Sequence, residues 1–288
     1  MKIGVIVETL CLPLREGLQK AAEIGCEGVQ LYATNPELDM RTASVSDVQQ
    51  AARMIRDCGL VVSSVTGDLP GHGYSVPAEV PERVRMMKRI IDLSLELDCR
   101  AITNHIGVVP SDTADPEWAI MVDSVGQVAE YAASRGSALA IETGPEPAVV
   151  LKRLIDTVGS RGLGINMDPA NLKMVLNADA AEAVRVLAGH IFHTHAKDGM
   201  HYQACDPKTV YDAFADGGFE ALVAKTGKLF EEVPLGQGQV DWDAYLTALR
   251  DSGYNGFLTI EREVGADPAA DIAMAVGFLQ SKIRELGL

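Results

Sequence analysis

The sequence predicts an α/β fold, a single (β/α)8 TIM barrel spanning residues 1–288, on three observations. One junction recurs along the chain: an amphipathic helix, a small turn residue, then a short, mostly apolar run. Eight such runs fit within 288 residues. No Gly-rich phosphate loop follows the first run, where Glu8-Thr-Leu-Cys-Leu-Pro13 stands, and this disfavours an open doubly wound sheet.

The first run, about residues 3–7, is closed by Glu8. Ala21 to Tyr32 leads a helix through a turn into the second, at 28–32. Met54 to Val65 does the same for the third, at 60–66, and Ser46 with Gln49 is a plausible capping box for the helix before it. Val84, Met87, Ile91 and Leu95 then recur at helical spacing ahead of the fourth run, at 101–105. Ala133 to Glu142 delivers the fifth, at 138–142, and the sixth and seventh follow at 163–167 and 191–195. Leu249 to Ile260 repeats the junction and enters the eighth, at 257–261. In each junction a glycine or another turn former ends the helix, because the left-handed geometry there penalises a Cβ. Parallel strands joined by helical crossovers are the outcome.

No proline-, serine- or charge-rich linker divides the chain. One long connection, from Lys197 to about Asp241, reads as partly helical between Pro207 and Phe230. Its length and position predict a cover for the barrel mouth, with Trp242 packed beneath it.

Composition narrows the function. Forty acidic residues against 25 basic ones give a formal net charge of −15, which repels phosphate backbones and anionic membranes. Cys11, Cys26, Cys58, Cys99 and Cys205 form no CxxC pair and read as reduced core thiols in a cytoplasmic protein. The apolar run after Met1-Lys2 is too short for a signal sequence, and no stretch suggests a membrane span.

Chemistry in such barrels gathers where strands end and βα loops begin. Strands five to eight end in Ile141-Glu142-Thr143-Gly144, Asn166-Met167-Asp168-Pro169-Ala170-Asn171, His193-Thr194-His195-Ala196-Lys197-Asp198 and Ile260-Glu261-Arg262-Glu263. Singly, a strand-end carboxylate is most often a helix cap or an ion-pair partner, and a strand histidine is usually a satisfied core residue. Together, Glu142, Asp168, His195 and Glu261 sit on four adjacent strands at one depth. Three carboxylates around one axis repel each other unless a cation holds them. Oxygen-rich ligands with one imidazole suit one divalent ion, Mn2+, Mg2+ or Co2+ before Zn2+. His193 shares the face of His195 but lies one layer deeper and reads as structural.

These motifs, together with Pro234-Leu235-Gly236-Gln237-Gly238 and Trp242, resemble the sugar isomerase/epimerase superfamily. These are the xylose-isomerase-like barrels, which include ketose 3-epimerases, hydroxypyruvate isomerases and inosose dehydratases. The resemblance implies that Glu142, Asp168, His195 and Glu261 bind the metal. It also implies that Glu142 and Glu261 are the catalytic pair moving the substrate proton through a metal-stabilised enediolate. The chain departs from many epimerases at Asn171, where they carry histidine, and at His201, where they carry arginine.

His105, Asn171, Glu146 and Lys197 are the candidate substrate contacts, with helix capping the plainer role for Glu146 and pairing with Asp198 the plainer one for Lys197. Glu8 is undecided. The glycines of Gly67-Asp-Leu-Pro-Gly-His-Gly73 suggest a mobile loop over the mouth, or simple turns. Gly236 and Gly238 suit either close ligand approach or helix entry.

The expected function is a divalent-metal-dependent isomerase or epimerase of a small, unphosphorylated sugar or keto-polyol, with no dense Arg/Lys cluster for a phosphate. The alternatives are an inosose-type dehydratase, which is a lyase, and a non-catalytic sugar-binding barrel. An endonuclease IV-type repair enzyme is disfavoured by six scattered histidines and the acidic charge. No nucleic acid or membrane partner is expected, while a homo-oligomer, dimer or tetramer, is.

Overall fold

In the junctions quoted above, Gly25, Gly59, Gly136 and Gly253 take φ values of 95°, 76°, 70° and 84°. There the chain leaves each helix through a conformation that a Cβ disfavours and turns into a strand. The computed structural model describes all residues, Met1–Leu288. Its strands are β1 (Lys2–Ile6), β2 (Gly28–Tyr32), β3 (Val61–Thr66), β4 (Ala101–Asn104), β5 (Ala138–Glu142), β6 (Leu163–Met167), β7 (Ile191–Ala196), β8 (Asp198–His201), β9 (Phe230–Val233) and β10 (Phe257–Ile260). All but β8 and β9 close into one parallel barrel, in which β10 lies between β7 and β1. The eight-strand expectation is met within a residue or two. Glu8 is not a strand end, because β1 gives way to a 3-10 turn over Val7–Leu10.

The crossover helices are α1 (Leu14–Glu23), α2 (Val45–Asp57), α3 (Val80–Glu96), α4 (Pro116–Ser134), α5 (Ala148–Val158), α6 (Pro169–Leu176) with α7 (Ala180–Val186), and α10 (Trp242–Asp251), with α11 (Pro268–Leu286) closing the ring. Their apolar faces cover the barrel exterior. In α3, Val84, Met87 and Ile91 are buried, and each such side chain contributes roughly 1.5–3 kcal/mol by leaving water. Leu95 is only half-buried. The capping box of α2 belongs to Ser44 and Asp47 rather than to Ser46 and Gln49. Ser46 lies inside the helix, and the Gln49 side chain reaches Glu96 instead. No helix is long and apolar enough to cross a membrane. All five cysteines are free, but only Cys26 and Cys99 are buried, so Cys11, Cys58 and Cys205 are not the core residues expected.

The long connection folds as expected in kind. It opens with β8, runs through α8 (Pro207–Ala215) and α9 (Phe219–Thr226), and returns through β9, which pairs antiparallel with β8. One side chain fixes its ends. The Asp198 carboxylate accepts hydrogen bonds from the N–H groups of Gly199, Gly236, Gly238 and Val240 and from the Trp242 indole, at 2.9–3.2 Å. Gly236 and Gly238 thus serve this carboxylate and not a ligand; a Cβ on Gly238 would collide with Asp198. Trp242 packs edge-on against Tyr245 and Phe278.

Candidate metal centre

The ends of four adjacent strands converge at the floor of the barrel mouth. Glu142 ends β5, Asp168 follows β6, His195 lies in β7 and Glu261 follows β10. Each offers one ligand atom, and the four atoms lie within 4.8 Å of one another in a buried cluster that could hold a metal ion.

Neighbouring side chains aim them. The His195 Nε2–H donates to Gln30 Oε1 at 3.2 Å, which leaves Nδ1 facing the carboxylates. From Nδ1 the distances are 3.3 Å to Glu142, 3.4 Å to Asp168 and 2.9 Å to Glu261. Gln30 is itself fixed by Ser64, Thr66 and Thr103. The Glu142 carboxylate accepts from the side-chain amides of Asn166 and Asn171, at 3.2 and 3.1 Å. Asp168 divides its two oxygens: Oδ1 caps α6 by accepting from the Asn171 N–H, whereas Oδ2 is buried without a hydrogen bond. Glu261 Oε2 is likewise buried without one, although His195 and Lys197 lie close.

Buried carboxylate oxygens lacking donors are costly, and a cation is the partner that satisfies several at once. Burial pushes the His195 imidazole toward the neutral form, but Glu142 and Glu261 overcome it and hold its pKa well above the ordinary value. A divalent ion at the same point would displace that proton and bring two positive charges where one stood. The donor set, three oxygens and one nitrogen, fits a hard or borderline ion.

The remaining candidates separate. Lys197 is 5% exposed and reaches Glu263 at 2.7 Å and Glu232 and Glu261 at 3.4 Å. It does not pair with Asp198, whose oxygens are taken up by the loop described above. Burial opposes its charge, but Glu261, Glu263 and Glu232 raise its pKa well above the lysine range. His105 lines the mouth, its Nδ1 on Asp68 at 2.7 Å and its Nε2 3.6 Å from Glu142. Asn171 lines the mouth as well.

Glu146 does not line the cavity and does not cap α5; its Oε1 accepts from the Val109 N–H, and burial lifts its pKa to about 7. Glu8 also lies outside the lining and accepts from the Tyr32 N–H and the Asn35 amide. His201 binds the Met174 carbonyl. His193, a layer deeper, contacts Asn166, Ser64 and Thr259, and burial together with His195 keeps it neutral. The 67–73 loop borders the mouth, but the Arg83 guanidinium ties it down at the carbonyls of Leu69 and Pro70.

Sequence reasoning missed Gln30, Asp68 and Glu232. Gln30 alone left a signal, a polar residue inside the otherwise apolar strand Gly28-Val-Gln-Leu-Tyr32.

The sequence model of the xylose isomerase-like TIM barrels matches residues 18–282. The chain belongs to this family. Among solved structures, the family chain is similar to a xylose isomerase domain protein from Planctomyces limnophilus, 29% identical, with a TM-score of 0.80 over 99% of this chain and 98% of that one. It is 22% identical over 203 residues to an uncharacterized protein, MJ1311, of Methanocaldococcus jannaschii, covering 65% of this chain and 60% of that protein. Over 62 residues it is 36% identical to the L-ribulose-5-phosphate 3-epimerase UlaE of Escherichia coli, covering 21% of this chain and 22% of the enzyme. The chain therefore spans less than two thirds of the length of either curated relative.

The ligand set has a direct thermal test. Saturation to about 100 times the dissociation constant stabilises a folded protein by roughly 2.7 kcal/mol. For a chain of this size that corresponds to a rise in Tm of about 5–10 °C. Mn2+ should produce such a rise after chelation, and Asp168→Asn, which keeps a competent helix cap, should remove most of it. An equal rise in the variant would place the ion elsewhere.

Proposed function

We propose that this chain is a divalent-metal-dependent isomerase or epimerase acting on a small sugar or keto-polyol. What carries the reading is the pairing of two buried glutamates, Glu142 and Glu261, with an Asp168 oxygen that accepts no hydrogen bond and the His195 nitrogen at the floor of a deep cavity. Membership of the family and the partial similarity to a ketose-phosphate 3-epimerase support it.

A divalent cation held by Glu142, Asp168, His195 and Glu261 would polarise the substrate carbonyl and acidify the adjoining C–H. The protein's own groups then handle the proton. Glu142, held by Asn166 and Asn171, and Glu261, next to Lys197, are the two carboxylates that would serve the substrate carbon. One takes the proton and the other, or the same one, returns it, giving the epimer or the isomer. Lys197 keeps Glu261 ionised: burial favours its acid form, but Lys197 and His195 lower its pKa. His105, steadied by Asp68, is placed to donate to a sugar hydroxyl.

The test is incubation of ketoses, aldoses and inososes with the Mn2+-loaded protein in D2O, followed by NMR. Deuterium should enter at the carbon beside the carbonyl, because a carboxylate exchanges its proton with solvent. Loss of water from the substrate would move the reading to a lyase. Tight stoichiometric metal with no turnover of any sugar would leave a binding barrel.

A further inference from the structure

We propose that the cavity has two compartments and takes a keto-sugar joined to an uncharged apolar ring, of which an aryl glycoside with a carbonyl kept elsewhere on its sugar ring is the simplest form. The inference rests on the sugar-directed reading above and extends it to the part of the substrate that does not react.

Size is the first observation. The cavity encloses about 920 Å3, near the upper end of ligand pockets, and the candidate metal centre occupies only its floor. Chemistry changes toward the opening. The floor presents Glu142, His195, Lys197 and Glu261, whereas α8, α9 and β9 bring Phe214, Phe219 and Phe230 to the same wall. Phe214 and Phe219 stack with centroids 4.2 Å apart and planes 14° apart, and Phe219 continues onto Phe230 at 5.5 Å. Phe214 is 53% exposed, so an aromatic face is left to solvent beside a polar site. A stacked row ending in an open face suits a further ring by the same offset packing.

The second observation is the state of the basic side chains. Arg41 is paired with Asp39 at 2.7 Å and Lys208 with Asp212 at 3.6 Å, and the His72 ring lies 3.3 Å from Asp216. His105 and Lys197 are held by Asp68 and Glu263, each at 2.7 Å. A phosphate entering the outer compartment meets no cation free of a carboxylate, and Glu232 and Glu263 line the same wall. An uncharged ring carries neither penalty.

The experiment is ligand-observed NMR titration of the Mn2+-loaded protein. The probes are the phenyl and methyl glycosides of common pentoses and hexoses, together with the corresponding sugar phosphates. At least one phenyl glycoside should bind about tenfold tighter than its methyl counterpart, and the phosphates should bind no better than the free sugars. Phe214→Ala should narrow the phenyl-to-methyl ratio to about twofold, and Phe219→Leu serves as a second probe of the row that keeps an apolar side chain in place. Phe192→Ala is the control, since Phe192 is exposed on the opposite side and lines a different cavity. A ratio near one, a ratio unchanged in the Phe214 and Phe219 variants, tighter binding of a phosphate, or no binding by any probe overturns the proposal. Binding is read without turnover, so a phenyl preference in a protein that exchanges no deuterium would keep the outer compartment and refute only the reaction.

Discussion

Glu142→Gln and Glu261→Gln should each lose about 10²–10⁴-fold in turnover, the range for removing a general acid or base. Melting temperature should change little by comparison. Glutamine keeps a carbonyl oxygen for a cation and an amide for nearby acceptors, but it cannot carry the proton. Exchanging either glutamate relieves repulsion among three buried carboxylates, while His195 keeps two carboxylates beside it and Lys197 keeps Glu263 and Glu232, so the electrostatic cost to folding is small. The measurement pairs steady-state turnover, on whichever substrate the panel identifies, with Mn2+ titration. A variant that binds the ion and retains near-full turnover removes that glutamate from the proton path.

Asp198→Ala should be the most destabilising single change in the long connection, at about 3–4 kcal/mol. Five donors lose one charged acceptor. The Val240 N–H and the Trp242 indole are buried and have no water to turn to. Gly236 is exposed and can rehydrate, which keeps the cost below a full sum. The corresponding fall in Tm is roughly 6–16 °C. Asp198→Asn, with one acceptor oxygen and no charge, should fall between. Thermal melts of the two variants within about 2 °C of the parent would show that the carboxylate does not organise the loop.

The barrel was legible because its signals are local and repeated. A glycine that needs positive φ, followed by a run buried on both faces, can be read within a dozen residues, as at Gly25 or Gly253. The four converging side chains were legible for a different reason: closure of a parallel barrel puts every strand's C-terminal end on one rim, so Glu142, Asp168, His195 and Glu261 could be aligned by position alone. Gln30 was not. It meets His195 across the barrel interior, 165 residues away, and strand period does not reveal which residues face each other across a closed ring.

Of the two alternatives the sequence offered for Lys197, a substrate contact or a pair with Asp198, the second rested only on their being neighbours in sequence and does not form. Successive residues of extended chain point in opposite directions, so Lys197, between β7 and β8, enters the site and Asp198, at the start of β8, faces the loop behind it. The capping box slipped by two residues for a similarly local reason, since Ser44 and Ser46 are chemically alike and only the backbone turn distinguishes them.

The β8–β9 hairpin has an implication for how such a protein diversifies. The two helices between its strands bury almost nothing, Val210 alone, while both ends of the excursion are fastened outside them by strand pairing and by Asp198. The stretch from Tyr202 to Leu229 is therefore an exchangeable cassette. Apart from Val210 and from Tyr211, whose hydroxyl meets Gly144 and whose ring lies 6.3 Å from His105 beside the floor, its sequence should be replaceable without reopening the barrel as long as the hairpin is kept. Selectivity for the outer part of a substrate can then drift, or be engineered, independently of the chemistry beneath it.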